Sequence, residues 1–431
     1  AVDPHLEAAA IIDRACKGAS PNKALLFEQI TGSTMPLVAN LLGSSQRMAL
    51  AFGTDDLSLL SQRLRTELTQ TGTTCADEGL RQLLTQAKHA TVIQPRGLFQ
   101  QCDSSAAGLE LLPALQSWPQ DGGRYLTLGQ VFTHHPETGA LNCGLYRLQI
   151  IDDNTALLRC HPGSGGAAHL QAWHERGEAM PVAIALGGPP ALTWAAAAPL
   201  PVGVSESDFI AYLTQSPVSM TPCRHSALMV PAEAEIVVEG RIEPGEVGME
   251  GPFGNHTGHY VPAAAAPLVR IEGLYHRERA IYPCTLVGPP PMENLHLAAA
   301  TQQLLSPMLQ HDQPWVKNLH IPAFGAFHRA ALVAIDETAP TSLDEIGSRL
   351  WNSALLKNAR LLILLDGDVE PQQFEQAYWR LVNAGDWSAT THISKNRLII
   401  DARRNSALEK VVQDAEVSAK IERRWREFGL G

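Results

Sequence analysis

The sequence predicts a mixed α/β (α+β) chain in three parts: an α/β region over 1–90, a β-rich centre over 91–275 and a second α/β unit over 276–431. Three observations carry this. Apolar residues recur at helical spacing near the start, as short runs between turn clusters in the middle, and in alternating helix-like and strand-like patterns toward the end. A length of 431 residues suits two or three domains.

In the first part, the spacing predicts helices over 6–17 and 57–71 and a strand over 24–30. Gly43-Ser44-Ser45 reads as a loop. In the centre, strands are expected over 125–134, 144–151, 155–160, 181–186, 234–242 and 268–275, with a hairpin turn at Asp152-Asp153-Asn154. Helices are expected over 169–176 and 207–215. This order suggests an antiparallel sheet or barrel with a few inserted helices. The Ala/Pro-rich stretches 187–201 and 261–267 read as loops. In the third part, helices over 292–309, 343–358 and 372–383 alternate with strands over 330–335, 361–365 and 397–401. Residues 407–428 read as a charged amphipathic helix that packs on the body or on a sister subunit.

Apolar residues make up 45% of the chain and charged residues 18%, the balance of a well-packed globular protein. No apolar run is long enough to span a membrane, so stable membrane insertion is not expected. No basic, apolar and small-residue run of signal-peptide type opens the chain. It starts on Ala1-Val2-Asp3-Pro4 without a Met, as expected of a chain shorn of its native N-terminus. The net charge of −11, without basic clusters except near the end, argues against nucleic acid as a partner. Seven scattered cysteines without a Cys-x-x-Cys suit free thiols in a reducing cytoplasm.

Four segments hold unusual polar residues. The first is 141–147, with Asn142 and Arg147. Residues five apart on a strand face opposite ways, so these two share a site only if Gly144 kinks or bulges the chain. The bland account is a turn Asn and a surface Arg. The second, 159–169, runs Arg-Cys-His-Pro-Gly-Ser-Gly-Gly-Ala-Ala-His. Its glycines permit backbone amides to cradle an anion, with His169 opening the next helix; a plain flexible loop is the simpler account. The third, 205–209, offers Ser205 or Ser207 as a helix cap, or Glu206 as a metal ligand. Asn oxygen, imidazole and carboxylate from Asn142, His169 and Glu206 suit a Mn/Mg-type cation more than zinc. The fourth, 249–260, packs three glycines, a proline, Glu250, Asn255 and His256 into a tight loop. A polar turn between strands is its bland account. Arg147 and Glu250 would form a charge-assisted pair that orients a carboxylate substrate.

Taken in order, these segments resemble the UbiD family of decarboxylases over nearly the whole chain. The resemblance begins at Asp3-Pro4-His5-Leu6-Glu7 and Ala24-Leu25-Leu26-Phe27-Glu28, and passes Asn40-Leu41-Leu42-Gly43-Ser44 and Arg47. It continues through 142–147, Gly165-Gly166-Ala167, 181–187, 230–236, Glu250-Gly251-Pro252-Phe253-Gly254 and Gly288-Pro289-Pro290-Pro291-Met292-Glu293. Asn-x-Gly-x-Tyr-Arg together with Glu-Gly-Pro-Phe-Gly is specific.

The resemblance implies a central split β-barrel that binds prenylated FMN, and reversible, non-oxidative decarboxylation of an aromatic, heteroaromatic or α,β-unsaturated acid. It implies Mn²⁺, often with K⁺ nearby, held by Asn142, His169 and Glu206. It places the flavin against Leu145, Tyr146, Arg147, Arg159, Cys160, His161, Ser164 and Gly165. It assigns Arg147 and Glu250 to a catalytic Glu-Arg-Glu triad. The third acid of that triad falls on Asn255, which has no proton to donate near neutral pH. His256, an ordered water, His259 or His296 are the alternative donors. The implied partners are a flavin prenyltransferase as cofactor supplier and a second copy of the chain, in a homodimer or larger homo-oligomer. The competing readings are a split-barrel flavin oxidoreductase and a non-catalytic flavin or metal carrier.

Overall fold

The computed structural model describes residues 1–18, 22–87, 90–325, 328–383, 386–404 and 411–429. Its centre is a ten-stranded sheet in which every pairing is antiparallel. The main path runs Tyr125–Leu126, Arg147–Ile150, Thr155–Arg159, Ala264–His276, Ala234–Ile242, Met180–Gly187, Gln130–His134, Leu141–Leu145. Cys102–Asp103 and Val247–Glu250 also pair with Ala264–His276.

The two ends of this path are halves of one hairpin. Tyr125 pairs with Gln149 at one end, while Gln130 pairs with Leu145 at the other. Only residues 127–129 join the halves on one arm, and only Tyr146 on the other. Two residue steps reach about 7 Å at most. The ends of the sheet therefore lie side by side, and the sheet curls into a half-barrel.

This geometry corrects two expected strands. The run 125–134 is two strands, and 144–151 is broken at Tyr146. Gly144 is not the kink. It is a regular strand residue opposite Val131, and its missing side chain leaves room for the Tyr146 ring.

The sheet binds the first part of the chain to the centre. Leu25–Phe27 and Leu37–Ala39 form a small sheet completed by Tyr282–Cys284, which follows the central strands. Ala8 and Ile12 of the helix Glu7–Lys17 share one core with Leu148, Ile184, Val238 and Tyr282. The opposite core joins the helix Leu57–Gln70, the helix Glu293–Asp312 and one face of the C-terminal sheet. That sheet runs Val316–His320, Ala330–Ile335, Leu361–Asp366, Arg397–Asp401, Thr391–Ser394, parallel in the middle and antiparallel at both edges.

Other expectations change. The stretch 187–201 contains a buried helix, Pro190–Ala195, because Ala and Leu there pack inward around Trp194. The stretch 261–267 is largely strand, the start of Ala264–His276. Ser44 is a helix cap, its hydroxyl accepting the Arg47 amide at 3.1 Å ahead of Ser45–Ala51. The helix expected over 343–358 ends at Trp351. The helix Ala76–Gln86 and the edge strands Val316–His320 and Thr391–Ser394 are additional. Of the tail, 407–410 lie outside the described residues; Ala415–Arg424 is helical and none of its side chains is buried. Among the described residues no helix is long and apolar enough to cross a membrane. All seven cysteines are free.

Trp194 anchors the larger core. Its ring meets Phe52 edge-on at 5.2 Å, and its Nε1–H donates to Thr301 at 3.0 Å. Trp194→Ala is expected to cost about 3–5 kcal/mol, read as a fall in the denaturant midpoint. A loss below about 1 kcal/mol would show that this helix does not contribute to the core.

Candidate active site

The break at Tyr146 decides where the first segment points. Asn142 lies on Leu141–Leu145 and Arg147 opens the next strand, so the rule that residues five apart face opposite ways no longer applies. The chain turns at Tyr146, whose buried hydroxyl accepts the Gly166 N–H at 3.1 Å.

Arg147 and Glu250 form a bidentate pair. Nε donates to one carboxylate oxygen at 2.8 Å and Nη2 to the other at 3.0 Å. Glu250 is fully buried, and Arg147 is largely so. The guanidinium also lies over the Phe253 ring, 4.2 Å from its centre. Glu250 takes two of its five N–H donors, leaving three for a substrate.

The loop after Glu250 is held by residues with no motif of their own. Gln149 accepts the Gly251 N–H at 2.8 Å, and the Tyr125 hydroxyl donates to the Pro252 carbonyl at 3.2 Å. Buried Asp121 accepts the amides of Gly254, Trp118 and Ser117. Burial raises its pKa against the opposing pull of those amides and Arg147. Beyond, Asn255 closes an Asx turn, its side-chain oxygen accepting the Thr257 N–H at 2.8 Å and the Thr257 hydroxyl at 2.6 Å. The ring of the neighbouring His256 lies 5.6 Å from that of His328. Burial, then Arg329 and His161, hold its pKa down, so its resting form at neutral pH is uncharged.

The second segment is not a loose loop. The helix Gly165–Glu175 starts at its glycines, capped by Ser164, and His169 lies inside it. The Gly166 amide binds Tyr146, while the Ala167 and Ala168 amides bind Ser164. These donors are therefore satisfied within the protein. The glycines permit close approach instead: a Cβ on Gly165 would strike the Asn142 amide, and one on Gly166 the Tyr146 ring.

Asn142, His169 and Glu206 gather about one strand. Asn142 Nδ2 reaches the Thr133 hydroxyl at 3.5 Å, and that hydroxyl lies 2.9 Å from His169 Nδ1. Burial, then His135 and His134, lowers the His169 pKa to about 4, so the ring is neutral. With Nδ1–H donating to Thr133, Nε2 carries a lone pair for a ligand. Glu206 opens the helix Glu206–Thr214 behind the Ser205 cap and accepts the Cys143 N–H at 3.2 Å. Its carboxylate is enclosed, and burial pushes its pKa up to about 7. The donor set, a carboxylate, a neutral imidazole and an amide oxygen, fits a hard or borderline divalent ion. No group of three or more His, Cys, Asp or Glu with metal-site geometry occurs among the described residues; this trio has only two of those types.

The remaining flavin candidates flank this strand. Leu145 donates its N–H to the Ala196 carbonyl at 2.8 Å, and Arg159 pairs with Arg147 across adjacent strands. Cys160 is half-buried, its thiol pushed up to about 12. His161 is solvent-facing as a residue, yet crowding of its ring, then Arg147 and Arg159, lowers its pKa. Sequence reasoning missed Asp121, Thr133, Gln149, His328 and Arg329. The only signal for any of them was the alternating pattern that put Thr133 and Gln149 on strands.

Three family models match in order: the 3-octaprenyl-4-hydroxybenzoate carboxy-lyase N-terminal domain over 1–65, its Rift-related domain over 91–290 and its C-terminal domain over 295–415. The chain belongs to the UbiD family. It is accordingly a carboxy-lyase, as UbiD enzymes are. An uncharacterized protein of Archaeoglobus fulgidus is 33% identical over 386 residues, 89% of this chain and 80% of that one. Among solved structures, the closed form of the vanillic acid decarboxylase of Sedimentibacter hydroxybenzoicus gives a TM-score of 0.86 at 23% identity, covering 100% of this chain and 94% of that one. An evolved dimeric form of the UbiD-class enzyme HmfF from Pelotomaculum thermopropionicum, in complex with prFMN, gives 0.80 at 23% identity, covering 97% and 93%.

The raised pKa of Glu206 sets a pH dependence. The folded state holds this proton more tightly than the unfolded state, so its contribution lowers metal-free stability as pH rises from about 4.5 to about 7. The full effect is on the order of 3 kcal/mol. Glu206→Gln in metal-free protein is expected to melt higher than the parent at pH 8, with the difference vanishing near pH 4. Parallel melting curves at both pH values would show that Glu206 is not desolvated.

Proposed function

We propose that this UbiD protein uses prenylated FMN to decarboxylate, reversibly, an aromatic, heteroaromatic or α,β-unsaturated carboxylic acid. The buried, bidentate Arg147–Glu250 pair carries this reading, because it presents a fixed cation from a nearly dry site. In this reading 91–275 is the split-barrel flavin domain, flanked by 1–90 and 276–431. Asn142, His169 and Glu206 would hold Mn²⁺, which together with K⁺ would supply the positive charge that the flavin phosphate needs. Leu145, Tyr146, Arg147, Arg159, Cys160, His161, Ser164 and Gly165 surround the flavin. A flavin prenyltransferase supplies the cofactor, and the protein works in the cytoplasm. The exposed side chains of Val417 on the tail helix and of Trp425 and Phe428 in the 3-10 turn after it favour a homodimer or larger homo-oligomer.

When bound, the prenylated flavin would take up the electron pair that departing CO₂ leaves behind. Arg147 holds the substrate carboxylate through its three remaining donors, and Glu250 fixes the plane of the guanidinium. Tyr125 and Gln149 keep the loop bearing Glu250 in place. A proton must then replace CO₂. Asn255 has none to give, and its oxygen is engaged with Thr257. Neutral His256 passes a proton on from water in this reading, as a relay and not as a stored acid.

The test is protein co-produced with a flavin prenyltransferase. Its intact mass and spectrum are expected to show the prenylated flavin, and panel acids are expected to release CO₂ with no redox partner. Consumption of a nicotinamide donor on turnover would instead make it a flavin oxidoreductase. Arg147→Lys should keep the flavin but lose roughly 10²-fold in rate, because an ammonium cannot be held in plane by Glu250 while binding substrate. Unaltered turnover would mean that Arg147 serves only packing.

For the proton, His256→Ala is expected to slow both CO₂ release and deuterium exchange of the product. Asn255→Asp should remain active or improve, since Asp accepts the same two Thr257 donors. A dead Asn255→Asp with a normal His256→Ala would move the donor to another group.

A further inference from the structure

The turn 118–122 carries none of the motifs in the sequence, yet the hairpin beyond Glu250 is docked on it. That hairpin pairs Phe253–Gly254 with Tyr260–Val261 and carries Asn255 and His256 between the two strands. On one arm the Gln120 N–H donates to the Tyr260 hydroxyl at 3.2 Å. On the other, Asp121 accepts the Gly254 N–H at 2.8 Å, and the Gly122 N–H donates to the Pro252 carbonyl at 2.8 Å.

Trp118 opens this turn and is half-buried. Its indole lies against two bare backbones. A Cβ on Gly254 would fall 2.3 Å from Cδ1 of the indole, and a Cβ on Gly288 would fall 2.6 Å from Cζ2 in its second ring. Neither glycine has a positive φ, so the missing side chains serve close approach and not backbone conformation. The Trp118 Nε1–H donates to the Val287 carbonyl at 2.8 Å. Val287 and Gly288 belong to the linker 285–292, which leads into the helix Glu293–Asp312 and the C-terminal part. The indole is thus a rigid spacer between hairpin and linker. The same two segments line a cavity of about 340 Å³, with His256 and Thr257 from the hairpin and Pro289 and Pro290 from the linker.

The bland account is that an aromatic ring in a turn fills space against the core, as Trp118 also does. The neighbours of Gly254 argue for more. It follows Phe253, whose ring carries the Arg147 guanidinium at 4.2 Å and meets Tyr125 edge-on at 4.7 Å. It precedes Asn255. A shift of Gly254 off the indole would move the surface under Arg147 on one side and Asn255 on the other.

We propose that Trp118 is a positioning residue for the reaction: its indole fixes the spacing of hairpin and linker and acts on Arg147 through Gly254 and Phe253. The turnover readout of this proposal rests on the decarboxylase reading above.

The test combines turnover of the prenylated-FMN holoenzyme with ¹⁹F NMR of protein carrying 5-fluorotryptophan. The signal missing from Trp118→Phe identifies Trp118 among the eight tryptophans. Trp118→Phe is expected to keep the flavin, hold KM within about threefold and lower kcat about tenfold, since small misplacements of reacting groups are this costly. In an Arg147→Lys background it should cost less than about threefold more, because both changes spoil one alignment. Gly288→Ala alone, which presses a methyl group onto the indole, should also lower kcat, and it guards against a folding defect in Trp118→Phe. The two together should outperform either alone, the methyl group refilling space that the indole left. Without substrate, Arg147→Lys is expected to shift the Trp118 signal more than that of any other tryptophan. Unchanged kcat in Trp118→Phe, a loss that multiplies in full with Arg147→Lys, or a Trp118 signal that Arg147→Lys does not move would reduce Trp118 to packing. A signal that does respond, together with no CO₂ from any panel acid, would support the positioning role and count against the decarboxylase reading.

Discussion

The interruption of one hairpin at Tyr146 is the constraint on which the rest depends. Because the strand stops and restarts there, the arm bearing Asn142 joins one end of the sheet and the arm bearing Arg147 the other. The sheet must curl to bring those ends together. The Tyr146 ring fills the junction, Gly144 and Gly166 are bare so that it can, and its hydroxyl ties the helix start of Gly165–Glu175 to the same point. One aromatic side chain thereby couples sheet closure, the helix carrying His169 and the strand opening on Arg147.

Electrostatics within this frame favour geometry over stability. A buried Arg–Glu pair contributes little net stability, since the loss of hydration offsets most of the attraction. What it fixes is direction. Both side-on donors of Arg147 are committed to Glu250, and Glu250 is positioned by pairing of its strand with Ala264–His276. The cluster of His161, His256 and His328 is the reverse case: loss of hydration and neighbouring cations lower the pKa of each imidazole, so the cleft gains polarity while protonation of these rings is disfavoured.

Much of this was legible from sequence where a local period or a paired chemistry existed. The strands near 181–186 and 234–242 and the helix at 57–71 follow from residue type and spacing, while the conjunction of Arg147 with Glu250 follows from their opposite charges together with the family resemblance. The helix around Trp194 did not, because its Ala and Pro content resembles a loop until tertiary burial is counted. The kink was assigned to Gly144 because glycine is the usual site of one. The real break needs a buried ring, and single-sequence patterns do not signal buried rings. Thr133, Gln149 and Asp121 were invisible for a related reason: their roles are hydrogen bonds to backbone groups far along the chain.

The shared hairpin also bears on how this protein can diverge. The turns at 135–139 and 152–154 lie at its outer ends and can absorb extra residues without disturbing what lies between. Residues 142–147 cannot. Adding or removing one residue there would turn every later side chain to the opposite face of its strand, sending Arg147 outward and away from Glu250. Change in this stretch is confined to exchange of one side chain for another at constant length. New substrate preferences must then arise in the surrounding loops and in the C-terminal wall.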